Sequence, residues 1–195
     1  MKDGGRSGFE LFPDGNKNYT IAQFFPRLAV YDNVEGWQNM QFWGRSEWAL
    51  EFGDYDVKIT VPADHIVDAT GELLNEKKVL TKEQRVRFEK ARTSFKDPVF
   101  IVTQKEAEKA EKLKSKKSKT WHFNAKNVRD FAFASSRKYI WDAMAVNING
   151  KTVMAVSLYP SLFIANAPHK NRGMVTVAFD ELFKLGHVFR SAVQQ

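Results

Sequence analysis

The dipeptide Asn149-Gly150 separates two largely apolar runs, 143–148 and 152–159, and it constrains the fold more than any other short stretch of the chain. Asn and Gly tolerate the positive φ angles that a two-residue hairpin turn requires. The two runs are therefore predicted to be neighbouring antiparallel strands. A chain with such a hairpin near its end must build at least part of its core from antiparallel sheet.

Alternation of apolar and polar side chains predicts further strands. Residues 55–61 alternate with the period of two that places every second side chain on one sheet face, and 46–52 does the same. Gly53-Asp54 between these runs is predicted to be a tight hairpin turn. Other predicted strands lie at 9–12, 98–102, 120–123, 131–134 and 174–179, with a turn at 13–16.

Three segments favour helices. Thr81 is suited to be the N-cap of a helix over 81–93, and 104–117 is rich in strong helix formers. A third helix, over 180–192, begins with two acidic residues and carries an apolar stripe. The predicted fold is therefore mainly β, of the α+β class: a saddle-like antiparallel sheet or sandwich with two helical insertions and a C-terminal helix.

The net charge of +7 is concentrated in one segment. Residues 105–119 contain seven Lys and three Glu, which leaves only +3 on the rest of the chain. A specific nucleic-acid surface would need aromatic or Arg side chains between the lysines, and this segment has none. We expect a solvated helical insertion and no nucleic-acid partner.

Composition excludes several classes of site. With no Cys, the chain can form neither a disulfide framework nor a thiolate metal site. The absence of Cys does not identify the cellular compartment, because many exported bacterial proteins also lack Cys. No run approaches the roughly 18 apolar residues of a membrane span, and the first eight residues do not resemble a signal peptide.

The stretch from Tyr19 to Gly71 carries several motifs in a fixed order. They are Phe24-Phe25-Pro26-Arg27, Asp32, Gly36-Trp37, an alternating strand that closes on Pro62, and the turn Ala69-Thr70-Gly71. In order and spacing they resemble the N-terminal β-domain of the gluzincin aminopeptidases, the zinc metallopeptidases typified by membrane alanyl aminopeptidase.

Later strands extend this resemblance. Residues 121–134, which end in Asp-Phe-Ala-Phe-Ala, resemble the stretch that closes the family's β-domain, and 153–160 resembles its last strand before the catalytic domain. The resemblance implies a β-domain over 19–160. It leaves 1–18 as a poorly ordered or edge segment and 161–195 as a divergent tail.

The family's active site is not encoded here. Its zinc is held by a His-Glu-x-x-His helix, in which two His one turn apart face the metal, and by a distant Glu. The four His of this chain are not spaced in that way, and Gly173-Met174 precedes Val175 rather than the substrate-binding Glu. We expect no catalytic, cofactor-binding or metal-binding residue, zinc only in the missing catalytic domain, and no aminopeptidase activity of this chain alone.

A candidate binding surface consists of Trp37, Trp43 and Trp48, which could stack against sugars. The alternative is that these side chains are divided between the core and rim of the sheet, since aromatic residues commonly fill sheet faces.

Polar residues offer weaker candidates. His122 and Asp130 with Ser135 or Ser136 could form a hydrolase triad, but no Gly-x-Ser-x-Gly elbow accompanies them. The carboxylates of Asp54 and Asp56 are expected to be solvated or bound to backbone donors. His65 and His122 are expected to be ordinary polar or half-buried residues and not ligands.

Two functions follow. The resemblance implies a non-catalytic domain that shapes the peptide-binding cleft of a zinc aminopeptidase and supports its catalytic domain. Its partners would be that domain or a peptide substrate, and the exposed apolar surface would also allow two copies to pair. The alternative is a stand-alone β-sandwich module that binds a carbohydrate or protein through the Trp-rich surface or the Lys-rich helix.

Overall fold

The fold was established from a computed structural model, which describes residues 7–41 and 49–160 and the backbone of 175–176. The mainly β, α+β class is confirmed. In these ranges the strands form four antiparallel sheets, and three helices interrupt them. The predicted helix over 180–192 lies outside the described residues.

The first sheet joins the start of the chain to its middle. Its strands are β1 (Gly8–Leu11), β2 (Lys17–Ile21), β6 (Ile66–Ala69) and β10 (Phe133–Ser136), in the order β1-β2-β10-β6. β1 is an edge strand, and the turn predicted at 13–16 connects it to β2. The boundary expected between residues 18 and 19 falls inside β2, so residues on both sides of it belong to one sheet.

A second sheet has the order β5-β9-β7, with β5 (Gly53–Pro62), β7 (Glu72–Leu73) and β9 (Ser118–Val128). The alternation predicted along β5 is confirmed, with Ile59 buried and its neighbours on the strand exposed. The hairpin predicted at Gly53-Asp54 is wrong. Gly53 is the first residue of β5 and pairs with Val128, so Gly53 and Asp54 lie in a strand rather than a turn, and among the described residues β5 pairs with β9.

The third sheet contains the predicted Asn149-Gly150 hairpin. Its order is β13-β12-β11-β8, with β8 (Val99–Val102), β11 (Tyr139–Ile148), β12 (Lys151–Pro160) and β13 (Val175–Thr176). Ile148 pairs with Lys151, and Asn149 and Gly150 have φ angles of 51° and 81°. The turn chemistry is therefore the one that the dipeptide predicts. Of the predicted strand at 174–179, the two described residues are paired to β12.

Two helices begin at Thr residues, and the first of these N-caps, Thr81, was predicted. α2 (Lys82–Ala91) has Thr81 as its N-cap, and α3 (Gln104–Leu113) has Thr103, each in a capping box with the residue three positions on. α3 ends four residues before the predicted limit, because Lys114 adopts a left-handed conformation with φ 43°. A further short helix, α1 (Glu76–Val79), precedes α2. None of the described helices is long and apolar enough to cross a membrane.

The Lys-rich helix α3 is largely solvated but is attached at two points. Its single buried residue, Ala107, packs against Ile140 and Tyr159. Lys138, whose side chain is 1% exposed, reaches Glu111 of α3 at 2.9 Å and Asp14 of the β1–β2 turn at 2.5 Å. Burial alone would lower the pKa of Lys138, but the bonds to these two carboxylates raise it. The buried ammonium of Lys138 thus joins α3 to the β1–β2 turn.

One core lies where the three larger sheets meet α1 and α2. It contains Trp121 and Phe123 of β9, Val67 and Ala69 of β6, Trp141 of β11 and Phe88 of α2. Burying aromatic side chains of this size removes a large apolar area from water, worth roughly 25 cal/mol per Å². The core therefore holds the sheets in fixed positions around the sites described next.

Candidate functional site

The segment 22–41 lies on the outside of the molecule. It contains many large apolar side chains, yet no residue in it is buried. Five of these side chains are more than half exposed: Leu28, Tyr31, Val34, Trp37 and Met40. Scattered exposed apolar residues are common on proteins. Several exposed apolar side chains in one segment are typical of a surface that binds another molecule.

A small ribbon gives the segment a defined shape. β3 (Tyr31–Asp32) pairs with β4 (Gly36–Trp37), and the Tyr31 and Trp37 rings meet edge to face at 5.2 Å between centroids. The Asp32 carboxylate accepts hydrogen bonds from the backbone of Glu35 and Val34 and from Gln38, and these bonds lower its pKa. Asp32, the acidic residue that follows the Phe-Pro-Arg motif, therefore stabilises the turn between β3 and β4.

The start of the segment is attached to the domain by aromatic contacts and an ion pair. Phe24 packs edge to face on Phe133 at 5.6 Å, and Phe25 packs in the same way on Tyr55 at 5.7 Å. Arg27 Nη1 donates to Asp130 Oδ2 at 2.7 Å, with 14% and 24% of the two side chains exposed. This pair joins positions 103 residues apart in the sequence.

The predicted Trp surface is described only in part. Trp37 is 55% exposed and lies on the 22–41 segment. Trp43 and Trp48 fall outside the described residues, so the three-Trp surface stays a prediction. Leu50, near the second of them, forms an isolated bridge with Ala29, and this bridge brings 49–52 beside the segment.

The structure does not bring the hypothetical triad together. His122 Nε2 lies 2.9 Å from both carboxylate oxygens of Asp56, whereas Asp130 is engaged by Arg27. Ser136 donates to the carbonyl of Lys17. Each member therefore has a separate partner, and the triad is not formed.

The Asp54 and Asp56 carboxylates also have separate tasks. Asp54 Oδ1 accepts from the backbone N–H of Asn127 at 2.8 Å, in agreement with the expectation that this carboxylate binds a backbone donor. Asp56 pairs with His122 across the β5–β9 ladder. Within the described ranges, no three His, Asp or Glu side chains are arranged to hold a metal ion.

His65 is buried, whereas an ordinary polar or half-buried residue was expected. It is 5% exposed, and its Nδ1 lies 2.9 Å from the Ser135 hydroxyl. Burial, together with the charge of Arg137, lowers its pKa to about 4. The neighbouring Asp64 is paired with Arg137 at 3.2 Å. The imidazole is therefore neutral near pH 7 and its hydrogen bond to Ser135 is a structural one.

Acidification is expected to destabilise the fold through His65. The folded pKa of about 4 lies below the unfolded value of 6.5, so between these pH values the unfolded chain binds a proton that the folded chain does not. The cost should reach about 3 kcal/mol at pH 4. Urea unfolding gives the loss of unfolding free energy that His65→Gln causes relative to wild type. This loss should be about 3 kcal/mol smaller at pH 4 than at pH 7. His122→Gln is the control. A difference that is the same at both pH values would contradict this assignment.

A cavity of about 360 Å³ opens where the three larger sheets meet α2. Its walls include the side chains of Phe88, Phe123, Trp141 and Met154. Asp68 of β6 also lines it, and the buried Oδ2 of that carboxyl has no hydrogen-bond partner among the described residues. Buried carboxylate oxygens normally have partners, so this atom marks the cavity as unusual.

The environment of Asp68 favours the protonated acid. Burial raises the pKa of the Asp68 carboxyl to about 7, although the hydrogen bond from the backbone of Ala69 opposes the rise. Tyr139 responds to the same surroundings, since burial and the nearby charge of Asp68 raise the pKa of its hydroxyl. Strongly shifted carboxyl groups in cavities are frequent at functional sites.

Sequence reasoning missed Asp68 and the His65–Ser135 pair. A single acidic residue inside the apolar run Ile66-Val67-Asp68-Ala69 was a readable signal, because a charged residue is seldom placed there without a reason. The pairing of His65 with Ser135 spans 70 residues and depends on the β6–β10 register, which has no local signature.

Comparisons of the chain with protein-family models, with curated proteins and with solved structures found no match.

Proposed function

We propose that the chain is a non-catalytic β-domain of a zinc aminopeptidase-like protein, and that its 22–41 segment docks against a catalytic domain. The observation that carries the proposal is the exposure of this segment, in which no residue is buried although five large apolar side chains project from it. Apolar area of this kind is stabilised when a partner removes it from water.

Contacts between the motifs of the resemblance support the proposal. Arg27 of the Phe-Phe-Pro-Arg motif pairs with Asp130, the first residue of the Asp-Phe-Ala-Phe-Ala motif. Thr70 of the Ala-Thr-Gly turn donates its N–H to the carbonyl of Ala132 at 2.9 Å and accepts from the Ala132 N–H at 3.0 Å. Motifs that are far apart in sequence therefore form one contact network beside the exposed segment.

The proposed role is structural. The domain would form one wall of the peptide-binding cleft and limit which substrates enter, while zinc and the catalytic residues belong to the catalytic domain. The attachment of the segment through Phe24, Phe25 and Arg27 would hold the exposed side chains in position for docking. A preformed surface loses little conformational entropy on binding.

The docking surface can be tested with a matched pair of variants. Val34 on the segment is 85% exposed and Val86 on α2 is 65% exposed, so replacing either by Glu should leave the fold intact. In titrations with a separately produced gluzincin catalytic domain, Val34→Glu should weaken binding at least about tenfold, or 1.4 kcal/mol. Val86→Glu should weaken it less than about twofold.

Two results would count against the proposal. One is equal loss of binding in both variants, which would make the effect one of charge rather than of docking. The other is binding of glycans by the chain, lost in Trp37→Ala, without any association with a catalytic domain; that result would favour the stand-alone module. An independent check is a His-Glu-x-x-His codon pattern in the DNA downstream of codon 195.

A further inference from the structure

We propose that the cavity between β6, α2, β11 and β12 binds a small organic cation, an amine or guanidine with an apolar body, whose charged group is held by the carboxylate of Asp68. This site goes beyond the proposed docking role. Its lining shares no residue with the 22–41 segment, so either proposal can fail without the other.

The size and walls of the cavity suit such a ligand. Its volume of about 360 Å³ lies within the range of roughly 300–1,000 Å³ typical of small-molecule sites. Phe88 and Trp141, whose ring centroids are 5.2 Å apart, and Phe123 supply aromatic surface that can hold an apolar body and attract a cation.

The polar group at the site lacks a donor. Asp68 Oδ2 is shielded from solvent and accepts no hydrogen bond from the described residues. A buried acceptor without a partner costs about 1–3 kcal/mol, and more when it is charged. A ligand ammonium or guanidinium in the cavity would stabilise the ionised carboxylate through its opposite charge, an interaction that is stronger at a site shielded from water.

The charges around the cavity favour one extra positive charge. Its lining contains three carboxylates, from Asp68, Glu72 and Glu76, and two cations, from Arg92 and Lys151. Arg92 is bound to Glu76, and its guanidinium lies 4.7 Å from the centre of the Phe88 ring. With Asp68 ionised, the lining therefore carries a net charge of −1, which a monovalent cation would neutralise.

Proton linkage gives the proposal a second signature. Because the pKa of Asp68 is raised to about 7, the carboxylate that binds the cation is the minor form in acid. The affinity for a cation should therefore fall by about 30-fold between pH 8 and pH 5.5, whereas the affinity for a neutral analogue should not change.

The test compares two probes of similar shape on the complete chain, 2-phenylethylamine and 2-phenylethanol, by calorimetry or chemical-shift titration at pH 8 and 5.5. The amine should bind at least about tenfold more tightly than the alcohol at pH 8. Asp68→Asn should abolish this preference. Glu83→Gln, which removes an exposed carboxylate of α2 outside the lining, should change the amine affinity by less than about threefold.

Each outcome decides the question. A preference for the amine that is lost in Asp68→Asn and at pH 5.5 supports the site. Equal binding of amine and alcohol, absence of amine binding at 10 millimolar, or a preference that persists in Asp68→Asn overturns it. Circular dichroism of Asp68→Asn separates loss of the ligand contact from loss of the fold, and shifts at Trp141 and Phe88 locate the bound probe.

Discussion

Replacement of Asp68 by Asn should make the protein progressively more stable than wild type as the pH rises from 4 to 8. The folded pKa of Asp68 is raised to about 7, whereas an unfolded Asp titrates near 3.8. Between these values the folded chain holds a proton that the unfolded chain has released, so wild-type stability falls as the pH rises. The cost is complete above pH 7 and amounts to about 4 kcal/mol.

Asn at this position has nearly the shape of the protonated acid and does not titrate. Urea unfolding of both proteins at pH 4, 5.5 and 8 should therefore show a difference in unfolding free energy that grows by about 4 kcal/mol across the series. The part of this difference that does not change with pH measures how well the introduced amide packs and bonds in the folded protein. The part that changes with pH measures the titration of the Asp68 carboxyl. Glu72→Gln should show no comparable growth, because Glu72 is exposed. A pH-independent difference at Asp68 would rule out the raised pKa.

His65 and Asp68 act in opposite directions over the same pH range. The folded pKa of His65 is lowered to about 4 and that of Asp68 is raised to about 7. From pH 4 to 6.5, stability rises with pH through His65 and falls through Asp68, each by about 1.4 kcal/mol per pH unit. The wild-type protein should therefore show little net pH dependence there, and single variants should reveal both slopes.

Local chemistry made part of the fold predictable. Asn149-Gly150 specified a turn that both its residues can adopt, and Thr81 specified a helix start through a capping box. The alternation along β5 specified which side of the strand is buried. In each case the signal and the structure lie within a few residues of each other, so the sequence carries the information directly.

Long-range pairing was not predictable in the same way. The Gly53-Asp54 turn was predicted from its neighbours, but β5 pairs with β9, about 65 residues later, and Asp54 binds the backbone of Asn127 there. A strand with a suitable inner face can pair with any strand of matching pattern. Which partner it takes is decided by the packing of the whole core rather than by the turn before it.

The same distinction between local signals and long-range contacts applies to the candidate sites. The Phe-Phe-Pro-Arg motif was visible in the sequence, but its partner Asp130 was not, because an ion pair across 103 residues leaves no spacing to recognise. Asp68 was visible as an acid within an apolar strand, yet only the structure shows that three sheets enclose a cavity beside it.

Replacement of Gly71 by Ala is expected to destabilise the fold by about 2–6 kcal/mol. Gly71 has a φ of +92°, which costs a residue with a side chain about 1–3 kcal/mol. An added Cβ would also lie 2.3 Å from the carbonyl oxygen of Asn124 and 2.7 Å from the Ala125 Cβ, both on β9. Those atoms belong to a paired strand and cannot move aside like a flexible side chain, so overpacking adds about 1–3 kcal/mol.

Two other glycines separate these causes. Gly150 shares the positive φ, at +81°, but a Cβ there meets nothing within 4 Å, so Gly150→Ala should cost only about 1–2 kcal/mol. Gly53 has neither constraint, and Gly53→Ala should stay within about 0.5 kcal/mol of wild type. Chemical denaturation of the three variants should rank them in that order. If Gly71→Ala were no worse than Gly150→Ala, the turn would have room to move away from β9. The strain of the positive φ alone would then account for the effect of the substitution at Gly71.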